Sequence, residues 1–362
     1  MKQQIVCGIL GAGQPNIATT HQHPATLAAE QVSVAALCDL NPEVKDYAAR
    51  YGLKAYMDYR QMLADPEIAM IQIATPDWLH CEQAEMALAA DKHVLLQKPP
   101  CLNLNELQRL AEAVEGSSGS LKVLLNCRET RLCRTIKRYL RDGAIGQLRE
   151  IMINYRGRRF PIDNPASRYL KAECGGVWLH NSLHWLDEAF FYSDGLPTSV
   201  QVFATENRNG EERFLGEGPN YWSAIFDMPE NITFNFEYNT MLLQDGLPGG
   251  MKRVLIGTEG EIRQEYGNSI PTLYRSGKEP EPLLLCDGEL TPEQDVVQSF
   301  RMAIDAYGAQ IIDGKEYAPR LGDSLALMNA LLQGVESYRN RQSISLEKFN
   351  EELSNRCRRR RG

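Results

Sequence analysis

Two histidines, His180 and His184, stand four residues apart in "GGVWLHNSLHWLDE" (175–188). A helix over this stretch carries both imidazoles on one face, about one turn apart. Imidazole exchanges a proton near neutral pH, so an acid–base pair is one reading. The spacing also occurs in zinc sites, and Glu188 would supply a third ligand one turn on. Against that, Asn181 stands where a metalloprotease carries its general-base glutamate. Ordinary packing is the third reading.

A second chemical stretch opens the chain. "IVCGIL" (5–10) runs into Gly8-x-x-Gly11-x-Gly13-x-x-Asn16. Gly11 allows a tight turn, and Gly13 lets backbone approach a pyrophosphate at a helix N-terminus. Gln14 lies in the same turn, while Asn16 departs from the third glycine of the pattern. Asp39 ends the next apolar run, 26 residues past Gly13. A carboxylate there accepts from an adenosine ribose and repels a 2′-phosphate, which favours NAD over NADP. A third stretch is "HVLLQKPP" (93–100), where Lys98 follows a strand-like run and precedes two prolines. Ligands of open α/β sheets bind at that carboxyl end of strands.

Elements must position these groups. Short apolar runs at 5–10, 32–40, 70–75, 93–97 and 122–127 alternate with helix-period segments such as "HCEQAEMALAADK" and "NELQRLAEAVEG". Alternation of that kind predicts an α/β fold: a parallel, doubly wound Rossmann sheet over residues 1–125. After Asn126 the pattern changes. "ETRLCRTIKRYLRDG" is an amphipathic helix closed by Gly143, and then strands crowd together: "LREIMINYRGRRF", "TSVQVFATE", "YWSAIFDM", "ITFNFEYN" and "KRVLIGTEGEIRQEY". A second α/β domain with a large, mostly antiparallel sheet is expected over 126–345, followed by a segment at 346–362. Thr291, Pro292 and Gln294 spell a helix start with a capping box.

Bulk numbers fit this frame. A chain of 362 residues suits two domains, and 43% hydrophobic with 24% charged residues is ordinary for a globular protein. A net charge of −8 disfavours nucleic acid and anionic lipid as partners. "RCRRRRG" at the end places five of 39 basic residues in seven positions, and is read as a short disordered terminus. Nine cysteines without C-x-x-C argue for free thiols in a reducing compartment. No signal peptide or long apolar run is seen, so a cytoplasmic location is expected.

Taken in order, these residues resemble the Gfo/Idh/MocA oxidoreductases, the family named for glucose–fructose oxidoreductase and inositol dehydrogenase. "GILGAG" opens the chain, and "IATPDWLH" (73–80) is similar to the family's T-P-x-x-x-H. "HVLLQKPP" is similar to its E-K-P stretch, and "NCRETRLCRTIKRYLRDGAIGQL" to its domain-crossing helix. "GGVWLHNSLHWLDE" resembles its G-G-x-x-x-D-x-x-x-H-x-x-D segment. The resemblance spans residues 4–345.

That resemblance implies a bound nicotinamide cofactor, NAD, a sugar-like or polyol substrate, and a homodimer or homotetramer packed through the open sheet face. It implies no metal. It assigns Lys98 and His184 to proton transfer, and Gly11, Gly13, Gln14, Asp39, Thr75, Pro76, His80, Gln97 and Lys98 to the cofactor. Asn126 and Arg128 fall on its pocket-side N-R-R-F stretch, with Cys127 and Glu129 departing from it. Two other departures matter. Gln97 replaces the usual glutamate, removing a carboxylate that would stabilise the lysine ammonium. His180 replaces the usual aspartate and becomes a catalytic or substrate-orienting imidazole.

"INYRGRRF" adds a question. Strict alternation puts Asn154, Arg156 and Arg158 on one strand face and Arg159 on the other. An anionic substrate follows if that face meets the cleft. The leading expectation is an NAD-dependent oxidoreductase acting on a secondary alcohol or ketone of a sugar, sugar acid or cyclitol. Rivals are a redox-neutral enzyme that recycles tightly held NAD, and a non-catalytic NAD- and sugar-binding sensor.

Overall fold

The structure is a computed structural model that describes residues 4–13, 16–158, 176–205, 219–242 and 249–351. Gln14, Arg159 and the arginine tail lie outside the described residues, as does the side chain of Arg158. The chain divides into two compact units.

The first unit holds residues up to Thr130 together with Leu290–Ser324. Its strands are β1 (Ile5–Leu10), β2 (Val32–Cys38), β3 (Lys54–Tyr56), β4 (Met70–Ile73), β5 (His93–Gln97) and β6 (Leu121–Leu124). They form a parallel sheet in the order β3-β2-β1-β4-β5-β6. That is the doubly wound order, with the switch point at the carboxyl ends of β1 and β4. Every residue of β4 and β6 is buried, as a strand covered on both faces must be. Helices α1 (His23–Leu27), α2 (Glu43–Ala49), α3 (Tyr59–Ala64), α4 (His80–Ala89) and α5 (Leu104–Glu115) make the crossovers.

One expectation needs correction. Residues 126–345 are not one continuous domain, because the boundary falls after Thr130 and residues 290–324 rejoin the first unit. Helix α8 (Pro292–Asp313) supplies the reason. Its Phe300, Ala303, Ile304 and Tyr307 share a buried cluster with Ile5 and Cys7 of β1, Met70 of β4, Leu95 of β5 and Leu124 of β6. Each such large apolar side chain contributes about 1.5–3 kcal/mol by leaving water. The expected capping box is present: Thr291 accepts from the Gln294 N–H, and the Gln294 side chain accepts from the Thr291 N–H at 2.9 Å.

The second unit holds, among the described residues, those within Arg131–Glu289 and those from Leu325 to Glu351. Helices α6 (Arg131–Arg141) and α7 (Gly176–Ser193) join strands β7 (Leu148–Arg158), β8 (Ser199–Thr205), β9 (Tyr221–Met228), β10 (Ile232–Leu242), β11 (Gly250–Gly257), β12 (Gly260–Gln264), β13 (Thr272–Arg275), β14 (Glu281–Pro282) and β15 (Ile344–Ser345), with helix α9 (Leu321–Asn340) preceding the last strand. The described sheet runs β14-β13-β12-β11-β7-β10-β9-β8-β15. It is antiparallel except where β7 meets β10.

Strand alternation gives this sheet two faces. One lies under α7: Trp178 stacks on Trp222 at 5.0 Å, and Trp185 stacks on Tyr155 at 5.4 Å. The other is open. There Met152, Asn154, Lys252, Val254, Ile256, Glu261 and Arg263 line a groove of about 300 Å³. Phe203 and Ile225 share this face by register and are exposed. No helix among the described residues is long and apolar enough to cross a membrane.

Candidate active site

The glycine turn after β1 is fixed by its neighbours. Gly11 has φ +95°, and a Cβ there would lie 2.7 Å from the Ala74 carbonyl oxygen, so only glycine fits. A Cβ on Gly13 would collide with the Asp39 carboxyl group. Asp39 itself accepts from the Gly13 N–H at 2.9 Å and from the Asn41 N–H at 2.8 Å. A carboxylate offers about four lone-pair sites, so acceptor capacity for a ribose hydroxyl remains. Asn16, the departure from the pattern, has a local job. Its amide donates to the Gly11 carbonyl at 2.7 Å, and its Oδ1 accepts from the Ala18 N–H at 2.9 Å. Asn16 thus caps the helix that a third glycine would leave open. What this turn offers a pyrophosphate is close backbone approach, which the two side-chain-free glycines permit. The residues present fit a dinucleotide.

Lys98 stands just past β5, half-buried. Burial pulls its ammonium below the ordinary lysine range, opposed in part by the Asp77 carboxylate and by Cys127. Asp77 and Cys127 are neighbours that the motifs did not connect with Lys98. Asp77 follows the Thr75–Pro76 pair and is buried, while Cys127 lies in the short 3₁₀ turn Asn126–Glu129 after β6.

His80 starts α4 and is 1% exposed. Its Nδ1 lies 2.7 Å from the Pro99 carbonyl oxygen and its Nε2 lies 2.9 Å from that of Thr75. The ring therefore lies between the turn after β4 and the turn after β5, which carries Lys98; in its neutral form it donates its one N–H to one of the two carbonyls, and only the protonated ring donates to both. Burial pulls the imidazole below its usual range, with Asp77 and the two carbonyls opposing. His80 is committed to positioning these turns. The Thr75 hydroxyl is engaged with Gln83 at 2.5 Å, and Pro76 is half-buried beside it.

Gln97 is 5% exposed and faces inward. Its Nε2 donates to Gln22 Oε1 at 3.3 Å, Gln22 Nε2 donates to Gln72 Oε1 at 3.2 Å, and Gln72 Nε2 donates to Thr26 Oγ1 at 2.9 Å. Asn126 donates to Ser299 Oγ of α8 at 2.9 Å, and Arg128 is buried in the same turn.

The histidine pair belongs to the second unit. His180 and His184 both fall on α7 and are half-buried. Between them, Asn181 donates to the Tyr238 hydroxyl at 2.9 Å. Glu188, the third ligand of the zinc reading, is fully buried and held by Arg253, whose Nε and second terminal nitrogen reach its two oxygens at 2.5 and 2.9 Å. Tyr192 donates to the same carboxylate at 2.7 Å. Its lone pairs are thus committed to structure. Trp178 is core, with its indole N–H on the Leu331 carbonyl at 2.9 Å.

Arg156 is separated from this pair. Tyr155 turns toward α7, so Arg156 points to the open face, where its guanidinium covers the Tyr266 ring at 4.7 Å. Alternation thus puts Arg156 on the sheet face opposite the one that α7 covers.

A parallel sheet in the doubly wound order, a glycine turn closed by Asp39 and a partly desolvated lysine at a strand's carboxyl end define an NAD-binding oxidoreductase. The chain belongs to the GFO/IDH/MocA family. Residues 5–124 match its NAD-binding Rossmann fold, and residues 133–263 match its C-terminal domain. An oxidoreductase of Formosa agariphila is 31% identical over 76% of this chain and 84% of its own length. The uncharacterized oxidoreductase YrbE of Bacillus subtilis is 28% identical over 75% of this chain and 76% of its own. The levoglucosan dehydrogenase of Pseudarthrobacter phenanthrenivorans is 33% identical over 33% of this chain and 30% of its own. Among solved structures, a levoglucosan dehydrogenase in complex with NADH and levoglucosan aligns at a TM-score of 0.80 and 20% identity, covering 95% of this chain and 100% of the other. An Agrobacterium radiobacter oxidoreductase in complex with NAD+, L-tartaric acid and magnesium aligns at 0.79 and 19% identity, covering 96% and 100%.

Proposed function

We propose that this enzyme interconverts a secondary alcohol and a ketone on a sugar, sugar acid or cyclitol, with NAD as the redox partner. The observation that carries the reading is Lys98: a lysine at the carboxyl end of β5, eased toward its neutral form by burial. NAD, when bound, accepts or returns the hydride. The chain's own part is the proton. The Lys98 Nζ takes it from the substrate hydroxyl in oxidation and polarises the carbonyl oxygen in reduction. His184 on α7 serves as the general acid–base partner, and His180, an imidazole in the place of a carboxylate, orients the substrate. Asp39 favours NAD over its 2′-phosphorylated form. Arg156 is left out of this assignment, and with it the main support for an obligate anionic substrate. Asn126 ties the turn that carries Cys127 to α8, and Arg128 is buried in that turn.

The test is absorbance at 340 nm over a panel of cyclitols, aldoses, anhydrosugars and uronates, run with NAD+ and with NADP+. At least one neutral sugar or cyclitol is expected to reduce NAD+. Lys98→Met and His184→Asn are each expected to lower kcat about 100-fold or more. Full activity in either variant removes that residue from the mechanism. Turnover of a sugar without added or consumed NAD+ would replace the reading with the redox-neutral one. The open sheet face, with its groove and exposed Phe203 and Ile225, supports a homodimer or homotetramer joined there. Light scattering that returned a monomer mass would sink that part.

A further inference from the structure

Three buried glutamines form a line from the centre of the first unit to the carboxyl end of β5. Gln22 and Gln72 are fully buried, and Gln97 is 5% exposed. Each amide can be turned either way, so the direction of the line has to be fixed by a group that cannot turn. Thr26 is that group. Its hydroxyl has one proton, which goes to the Gln22 backbone carbonyl at 2.7 Å. Toward Gln72 it can therefore only accept, and it accepts from Gln72 Nε2 at 2.9 Å. The same Nε2 lies 3.3 Å from Cys7 Sγ. Gln72 must then present its oxygen to Gln22, Gln22 its oxygen to Gln97, and Gln97 its Nε2 inward. Each step follows from the one before it. The end product is an orientation: Gln97 Oε1 is turned away from the line, as an acceptor at the carboxyl end of β5.

We infer that Gln22, Gln72 and Thr26 are positioning residues, which fix the Gln97 amide so that its carbonyl oxygen accepts an N–H or O–H donor from the nicotinamide-riboside half of bound NAD. The donor is the carboxamide N–H or a ribose hydroxyl. A glutamate at 97 would not serve this line as built. Its carboxylate would face Gln22 Oε1, and relief would need Gln22 and Gln72 to invert and Thr26 to withdraw its proton from the Gln22 carbonyl. The line thus gives a reason for glutamine at this place.

The test is equilibrium binding of NAD+ and of its 3-acetylpyridine analogue, which lacks the carboxamide N–H, to the full-length protein. No substrate turnover is involved, so the outcome does not depend on the proposed reaction. Gln97→Ala is expected to weaken NAD+ about 3- to 10-fold, the range for one hydrogen bond. Gln72→Met, with a side chain remote from the carboxyl end of β5, is expected to weaken it in the same direction while the melting profile stays cooperative. Thr26→Val conserves shape, removes the proton that sets the direction, and carries the same test if the core does not tolerate Met at 72. In a Gln97→Ala background neither change is expected to weaken binding further. Loss of NAD+ affinity with the analogue unaffected by Gln97→Ala assigns the carboxamide as the donor. Equal loss for both assigns a ribose hydroxyl. Unchanged binding of both dinucleotides to Gln97→Ala overturns the inference. So does unchanged binding to the remote variants, or a remote effect that persists in full without Gln97, which would mark those residues as general scaffolding.

Discussion

Lys98 is the residue whose chemistry is most exposed to test. Burial favours its neutral amine, so the amine form is reached at a lower pH than for a lysine in water. In the oxidative direction the rate is expected to rise with pH as the ammonium loses its proton, and to level off below the ordinary lysine range. Gln97→Glu puts a carboxylate one residue before the lysine and opposes that shift. Its kcat profile is expected to move to higher pH, and superimposable profiles of parent and variant would count against the role. Not all of this was legible beforehand. Lys98 could be found from its place after an apolar run. Asp77 and Cys127 could not be connected with it, because what matters is their approach to Lys98, which only the turns after β4 and β6 determine. His80 was legible as a residue of the site but not as its fastener: only the structure shows both ring nitrogens on carbonyls of two separate turns.

At the scale of elements, α7 depends on one buried ion pair. Glu188 lies one turn beyond His184, and its two oxygens take three donors, two from Arg253 and one from Tyr192. Arg253→Met leaves that carboxylate buried without its cation, and is expected to cost about 3–5 kcal/mol in chemical unfolding. Adding Glu188→Gln should recover part of the loss, since the stranded charge is gone. A loss in the single variant no greater than that of an exposed pair would show that α7 is held by its aromatic packing alone. The long apolar runs of β1, β4 and β5 and the capped start of α8 were legible because period and capping chemistry are local. Strand β3 was not. Its three residues, "KAY", sit at the sheet edge with one side chain exposed, and carry no apolar run to read. The face that carries Arg156 was illegible for a related reason: alternation tells which residues share a face, but not which face α7 covers.

For the whole molecule, sequence order and spatial order part company at α8. Phe300, Ala303, Ile304 and Tyr307 complete a core whose other members come from β1, β2, β4, β5, β6 and α1. During synthesis the sheet of the first unit emerges early, but the helix that seals it emerges only after strands β7 to β14 of the second sheet. At 5–20 residues per second that delay is on the order of ten seconds. Through that interval the nascent first unit shows water an apolar surface around Cys7, Met70 and Leu95, a surface suited to a chaperone's grip. A fragment ending at residue 130 should accordingly bind a hydrophobic dye and aggregate, and a fused segment 290–324 should suppress both; a well-behaved, dye-silent 1–130 fragment would refute this. The enzyme's first domain, the first to be started, is thus closed only after most of the second has been made.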